Sequence, residues 1–453
     1  MSSMLYYALS FVVALAILIA VHEFGHYWVA RRLGVKVLRF SIGFGKPLFS
    51  WRSKNGETEY VLAAIPLGGY VRMLDEREGE VKAEELDRAF NRKPLSTRVA
   101  VVSAGPLFNF LFAIFALWIM YMSGVNGMKP VVGTVLPDTP AAIAGIQKND
   151  VILAVAGETV PTWQSARLAL FEAALRGEKV DIRLQTTTGT TVNSKLDTGV
   201  LEKPIDASVL FERLGLESWS PPALLGEIAP GKPADLAGLR EGDLILMVNG
   251  KPIDGWLDWV RIVRAHPGEA LTTRFLRNGV EQETQLLPIA SKTGDEAIGK
   301  VGVALGEQAI EEYRALGVVV QYGPIEALQT GIVKTWDMSV LMLRVLGRMV
   351  TGDASLKNIS GPLSIAEMAG KTASRGWLSF LSFLAMVSVS LGVLNLLPVP
   401  VLDGGHLLYY LIEFVTGKEV SERVMAVGQQ IGISLLLALM GLAFFNDLSR
   451  IFG

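Results

Sequence analysis

The sequence predicts a multi-pass α-helical membrane protein, four transmembrane helices carrying a duplicated α+β insert outside the membrane. Three observations predict it. Four runs are apolar over about the 20 residues a bilayer requires. One segment recurs further along the chain at a fixed offset. Basic residues crowd one side of the first apolar run. Composition agrees: half of the 453 residues are hydrophobic, 19% are charged and mean hydropathy is +0.38. That is too apolar for an ordinary soluble chain and too charged for a bare helical bundle.

The first run extends from Met4 to about Ala30. It follows Met-Ser-Ser with no basic flank and has no small-residue cleavage pattern, so it reads as a retained span rather than a signal peptide. The second covers Val99 to Met122, the third Trp377 to Leu397, and the fourth Val424 to Phe445. A fifth candidate, Ile332 to Val350, places Lys334, Asp337, Arg344 and Arg348 among Trp336, Met338, Leu341 and Leu346. That alternation suits a helix lying on the membrane surface, or packed on the bundle, better than a span. Residues 31–98 hold 14 Lys and Arg, and the segment before the first run holds none. The bias puts 31–98 in the cytoplasm and both termini outside, with 123–376 extracytoplasmic and the short loop 398–423 cytoplasmic.

The motif His22-Glu23-Phe24-Gly25-His26 closes the first apolar run. On a helix, residues i and i+4 share a face one turn apart, so the two imidazoles face one ion with a carboxylate beside them. These are the residue types of two zinc ligands and a general base. Ionisable groups at that depth cost roughly 2.5–3.5 kcal/mol each on insertion scales, which makes them functional by default. With no cysteine and only His22, His26, His266 and His406, any metal must be held by histidine and carboxylate. A third ligand is needed, and Asp403 is the best candidate, with His406 as a rival. The third run enters from outside and ends near Leu397, so Asp403 arrives at the depth of His22 only if there are four spans. Pro398 and Pro400 break the helix ahead of it, and Gly404 and Gly405 permit an irregular path.

Residues 132–163 recur at 225–256, with 12 of 32 positions identical, among them Pro140 and Pro233, Gly145 and Gly238, Asp150 and Asp243. A repeat of this length marks a duplicated domain. Each copy reads as a strand, a short helix stopped by glycine, a D-x-I-L strand and a turn. The pattern resembles the bacterial form of the PDZ domain, a fold that binds extended peptides along a sheet edge. A spacer or steric shield without ligand is the competing reading. The chain divides accordingly into 1–122 (two spans and a cytoplasmic membrane-associated loop), 123–221 and 222–310 (tandem PDZ domains), 311–376 (an amphipathic membrane-surface segment) and 377–453 (two spans).

The HExxH, the distal Leu402-Asp403-Gly404, the Ser103-to-Asn109 SAGPLFN element and the tandem insert together resemble the site-2 proteases, over essentially the whole chain. The resemblance implies an intramembrane zinc metalloprotease in a bacterial inner membrane, with termini and PDZ domains periplasmic. Its implied substrates are single-span membrane proteins, an anti-sigma factor already trimmed by another protease above all, with signal-peptide remnants a further class. It implies Zn²⁺ on His22, His26 and Asp403, with Glu23 as general base. Asn395, Pro398 and Pro400 match a substrate-facing segment. Gly43, Gly45, Gly68 and Gly69 match membrane-associated elements beside the site, where a strand edge could pair with an unwound substrate; simple turns are the plainer reading of these glycines. Net charge of −2 argues against nucleic acid. A metal transporter would need carboxylates along several spans, and the second and fourth runs have none. A silent peptide-docking scaffold would not need an intact HExxH.

Overall fold

The computed structural model describes residues 3–293 and 296–452. Four of its helices are long and apolar enough to cross a membrane: Leu5–Arg32, Leu95–Ser123, Trp377–Leu396 and Glu422–Arg450. They are called the first to fourth spans below. The first three pack together around small residues. A Cβ on Gly25 would sit 2.5 Å from the Ala104 carbonyl oxygen, and one on Gly392 would meet the Phe110 ring at 2.9 Å. Glycine at these contacts lets helix backbones approach where lipid offers no hydrophobic driving force for association.

Between the first two spans the chain makes two long strands, β1 (Val37–Arg52) and β2 (Glu59–Met73). They pair over two separate stretches. Ser41 faces Val61 in one and Tyr70 in the other, so the start of β1 lies between two parts of β2. The outer part, residues 65–73, lies along the first span: a Cβ on Gly69 would be 2.8 Å from both Glu23 Cγ and Ile19 Cγ2. The glycines singled out in the sequence are therefore strand positions rather than turns. Gly43 and Gly45 have φ of +94° and +86° inside β1, conformations that L side chains rarely adopt. The turn itself is at 53–58.

Two β-rich units follow, consistent with PDZ domains. In the first, the sheet runs in the order Glu158–Thr159, Val151–Val155, Lys179–Gln185, Thr191–Asp197. In the second it runs Lys251–Pro252, Leu244–Val248, Leu271–Arg277, Val280–Leu286, the same order. The repeated residues do repeated work. Asp150 accepts from the Gln147 amide and Asp243 from the Arg240 amide, both at 2.8 Å. Gly145 and Gly238 stop equivalent short helices at φ of +75° and +74°. Each unit has its own apolar core, the larger side chains being Ile152, Leu170 and Leu184 in one and Trp259, Leu271 and Phe275 in the other.

A 27-residue helix, Pro324–Val350, ties the first unit to the spans. Its Gly331 lies against the backbone of the second span at Ile114 and Trp118. Its far end sends Leu341, Val345 and Met349 into the first unit's core, and Arg344 pairs with Glu172 there. Of the residues read as amphipathic in the sequence, Met338 packs on the spans and Leu341 and Arg344 on the first unit, whereas Trp336 is 69% exposed.

The segment 398–423, expected as a short loop, is mostly helix, Asp403–Thr416. Its two glycines are not there for an irregular path. They begin the helix, where a Cβ on Gly404 would lie 2.1 Å from the Leu397 carbonyl oxygen and one on Gly405 2.6 Å from Pro400 Cα. The strained residue is Val401, at φ +107°. The fourth span is the most loosely attached. Its Gly432 packs on the Pro400 carbonyl, and near its end Asp447, fully buried, accepts from the amides of Gly361, Leu363 and Ser364. That carboxylate caps the helix Pro362–Ser374 at its positive end.

Candidate metal centre

The first span presents His22 and His26 on one face, and the helix beginning at Asp403 brings a carboxylate to meet them. His22 Nε2 is 3.2 Å from Asp403 Oδ2, His26 Nε2 is 3.5 Å from the same oxygen, and the two Nε2 atoms are 3.2 Å apart. Among the described residues this is the one group of three His, Cys, Asp or Glu side chains able to share an ion. His406 lies one turn further along its helix, edge-on to Tyr409, and does not join the group.

The arrangement fits a tetrahedral cation. Zinc bonds to imidazole nitrogen and carboxylate oxygen are about 2.0–2.2 Å long, which spaces tetrahedral ligand atoms about 3.3–3.5 Å apart. The three observed separations bracket that value. Proton bookkeeping agrees. His26 Nδ1 is 2.8 Å from the Val101 carbonyl, an acceptor, so it carries the proton and Nε2 is a bare lone pair. Asp403 Oδ2 is buried and has no hydrogen-bond donor among the described residues. Lone pairs converging in a dry site repel unless a cation lies among them.

The second span completes the walls. Gly105 leaves the space the imidazoles need, since a Cβ there would fall 2.3 Å from His26 Nε2 and 2.7 Å from His22 Cε1. Pro106 cannot donate to the Val102 carbonyl, and the neighbouring Val101 carbonyl is the one that takes the His26 proton. Asn109, fully buried, places its amide nitrogen 3.1 Å from His22 Nδ1. Asn109 closes the SAGPLFN element named in the sequence but was given no role there, although a buried amide inside a span is the kind of residue that polarity alone flags.

Glu23 is 9% exposed and projects beside the histidines, covered by Gly69 of β2. Gly68 packs under the Phe44 ring. Asn395, in the last turn of the third span, is half-buried; Pro398 is exposed and Pro400 half-buried. Asn395 thus lies at the end of the third span, and Pro398 and Pro400 lie on the connection leading into Asp403. Away from the spans, the second β unit carries a cavity of about 470 Å³ lined by Trp256, Val260, Arg264, Lys300 and Val303 among others.

A His-Glu-His helix facing an aspartate within a bundle of apolar helices is the arrangement of an integral-membrane metallopeptidase. The model of peptidase family M50 matches residues 10–439. The regulator of sigma-E protease RseP of Escherichia coli is 44% identical over 460 residues, covering 100% of both chains. The regulator of sigma E protease of Salmonella typhi is 42% identical, again over 100% of both chains. A Neisseria meningitidis protein provisionally named a zinc metalloprotease is 41% identical over 98% of this chain and 99% of its own. The chain belongs to peptidase family M50, the site-2 proteases, and is a zinc-dependent metalloprotease.

Proposed function

We propose that this protease cleaves single-span membrane proteins within or near their transmembrane segment, with His22, His26 and Asp403 as the zinc ligands and Glu23 as general base. The observation that carries the assignment is the spacing of the three ligand atoms, with an acceptor already holding the His26 proton on the far side of its ring. Bound zinc supplies Lewis acidity and lowers the pKa of a water to about 7. Glu23 takes a proton from the attacking water and returns it to the leaving amine. The span helices and β2 wall the site off from bulk solvent, which strengthens each electrostatic contact.

A helical substrate hides its amides in i to i−4 bonds and must unwind before it is cut. Residues 65–73 offer it a partner: they pair with β1 along one side only among the described residues, and at Gly69 they touch Glu23. An unwound strand added at that edge would be held extended beside the general base. Gly43, Gly45 and Gly68 let β1 and β2 approach closely, and Gly69 lets β2 lie against the first span. Asn395, Pro398 and Pro400 bound the other side, where Asn395 can bond exposed substrate backbone.

The sigma-E naming of the full-length relatives supports a role in envelope stress signalling in the inner membrane, with a pre-trimmed anti-sigma factor as the principal substrate. The two β units serve as tandem PDZ domains on the periplasmic side, where both termini also lie, and they exclude substrates with bulky outer domains. The cavity between the helix Trp256–Ala265 and Val303 suits an extended peptide end. The test is cleavage of single-span substrates with long and short outer domains by purified protein, with and without chelator. Loss of all cutting on chelation supports the assignment, and equal cutting of both lengths after removal of 130–310 supports the filter. Discrimination that survives the deletion rejects the filter.

A further inference from the structure

We infer that Asn109 is a positioning residue for the metal site: its amide oxygen takes the proton of His22 Nδ1 and so keeps His22 Nε2 free for zinc. The inference rests on the ligand assignment above and adds a residue to it.

His22 turns Nε2 toward His26 and Asp403, and Nδ1 toward the second span. Neutral imidazole carries one proton. For Nε2 to hold a lone pair toward an ion, the proton must be on Nδ1, and a buried N–H there needs an acceptor. His26 has one in the Val101 carbonyl. For His22, the one side chain among the described residues that hydrogen-bonds Nδ1 is the Asn109 amide, at 3.1 Å.

As placed, that amide presents its NH₂ to Nδ1, and its oxygen is buried with no partner. This is the orientation for the other tautomer, in which Nε2 carries the proton and faces His26 Nε2, 3.2 Å away. A half-turn about the terminal torsion exchanges oxygen and nitrogen with almost no change of shape. One end of the amide is unpartnered either way, so the turn changes only which end faces His22. An ion that claims the Nε2 lone pair forces the proton to Nδ1, and Asn109 can follow. An amide meets both tautomers of the ring, where a purely apolar side chain meets neither.

The residue is held where it can do this. Asn109 is fully buried, one turn beyond the Gly105 that makes room for the two rings. Its carbonyl accepts from Ser388 Oγ of the third span at 2.8 Å, which fixes its backbone between the two helices.

The test uses full-length protein purified in detergent, stripped of metal, with zinc affinity measured by competition against a chromophoric chelator. Asn109→Leu, of the same branched shape and without an acceptor, should bind zinc roughly 10–100-fold more weakly. Asn109→Asp, which can only accept when ionised, should bind at least as tightly as the parent. The zinc-free melting temperature reports packing separately. Parent-like affinity in Asn109→Leu overturns the inference, as does an Asn109→Asp that weakens as much as Asn109→Leu. Should Asn109→Leu not fold, Asn109→Asp decides alone: retained affinity supports the role and a tenfold loss overturns it. His22→Ala separates the two levels. If it keeps full zinc affinity, the ligand assignment fails; if it loses zinc while Asn109→Leu does not, only the positioning role fails.

Discussion

Arg98 and Glu413 form a bidentate ion pair between the start of the second span and the helix that begins at Asp403. Arg98 Nη1 donates to Glu413 Oε2 at 3.1 Å, the arginine side chain is 8% exposed, and its guanidinium lies over the Tyr410 ring at 5.1 Å. The pair fixes the rotation of a helix whose first residue is a proposed zinc ligand. Removing one partner of a buried pair leaves an uncompensated charge and costs about 3–5 kcal/mol. Arg98→Met should therefore lower the melting temperature and the zinc content together, and Arg98→Met with Glu413→Leu should recover part of both. A double variant no better than Arg98→Met shows that the two residues do not act as a unit.

Glu23→Gln keeps the shape of the side chain and removes its basicity. Zinc content should be unchanged and the rate of cleavage should fall by about 10²–10⁴. Cleavage at the parent rate removes Glu23 from the chemistry.

Stripping the metal should abolish cleavage, and added zinc should restore it. Zinc binds the folded site and so should also raise the melting temperature. That increment should vanish in His26→Ala and Asp403→Ala. An increment that persists in both places the ion elsewhere.

Gly105→Ala introduces a methyl 2.3 Å from His26 Nε2, and the nearby atoms belong to the His22 and His26 rings themselves. The rings must move apart, so zinc affinity should fall by tenfold or more. Gly347→Ala, where a Cβ meets nothing within 4 Å, is the matched control and should be neutral.

The joint between the first β unit and the helix Pro324–Val350 should loosen in acid. Lys203 and Arg348 hydrogen-bond the Asp353 carboxylate and hold it below its ordinary value of 3.8. A depressed carboxylate stabilises the fold above the unfolded pKa, and that contribution is lost as pH falls through the lower folded value. Protease sensitivity of the 351–358 joint should rise below about pH 4 in the parent. Asp353→Asn should show the higher sensitivity already at pH 7; equal sensitivity of the two at pH 7 rules out the contact.

Much of the architecture was legible because it follows from local patterns. Apolar length identified the four spans to within a few residues. The 93-residue offset showed the duplication, and identical residues such as Asp150 and Asp243 recur in the structure as identical turns. HExxH placed two imidazoles on one helix face by periodicity alone. The helix at Asp403–Thr416 was missed because prolines and glycines read as loop chemistry, whereas here the glycines serve close backbone approach.

By itself, then, the sequence determined which segments are apolar enough to span, that a folded unit was copied, and which side chains could bind a metal, since spacing along one chain dictates all of these. Only the tertiary structure decided that Asp403, rather than His406, reaches the histidines, that Asn109 and the Val101 carbonyl stand behind their rings, and that β2 lies against Glu23. Those contacts join segments dozens to hundreds of residues apart, and their distances are set by helix packing around glycines, for which no local pattern carries a signal.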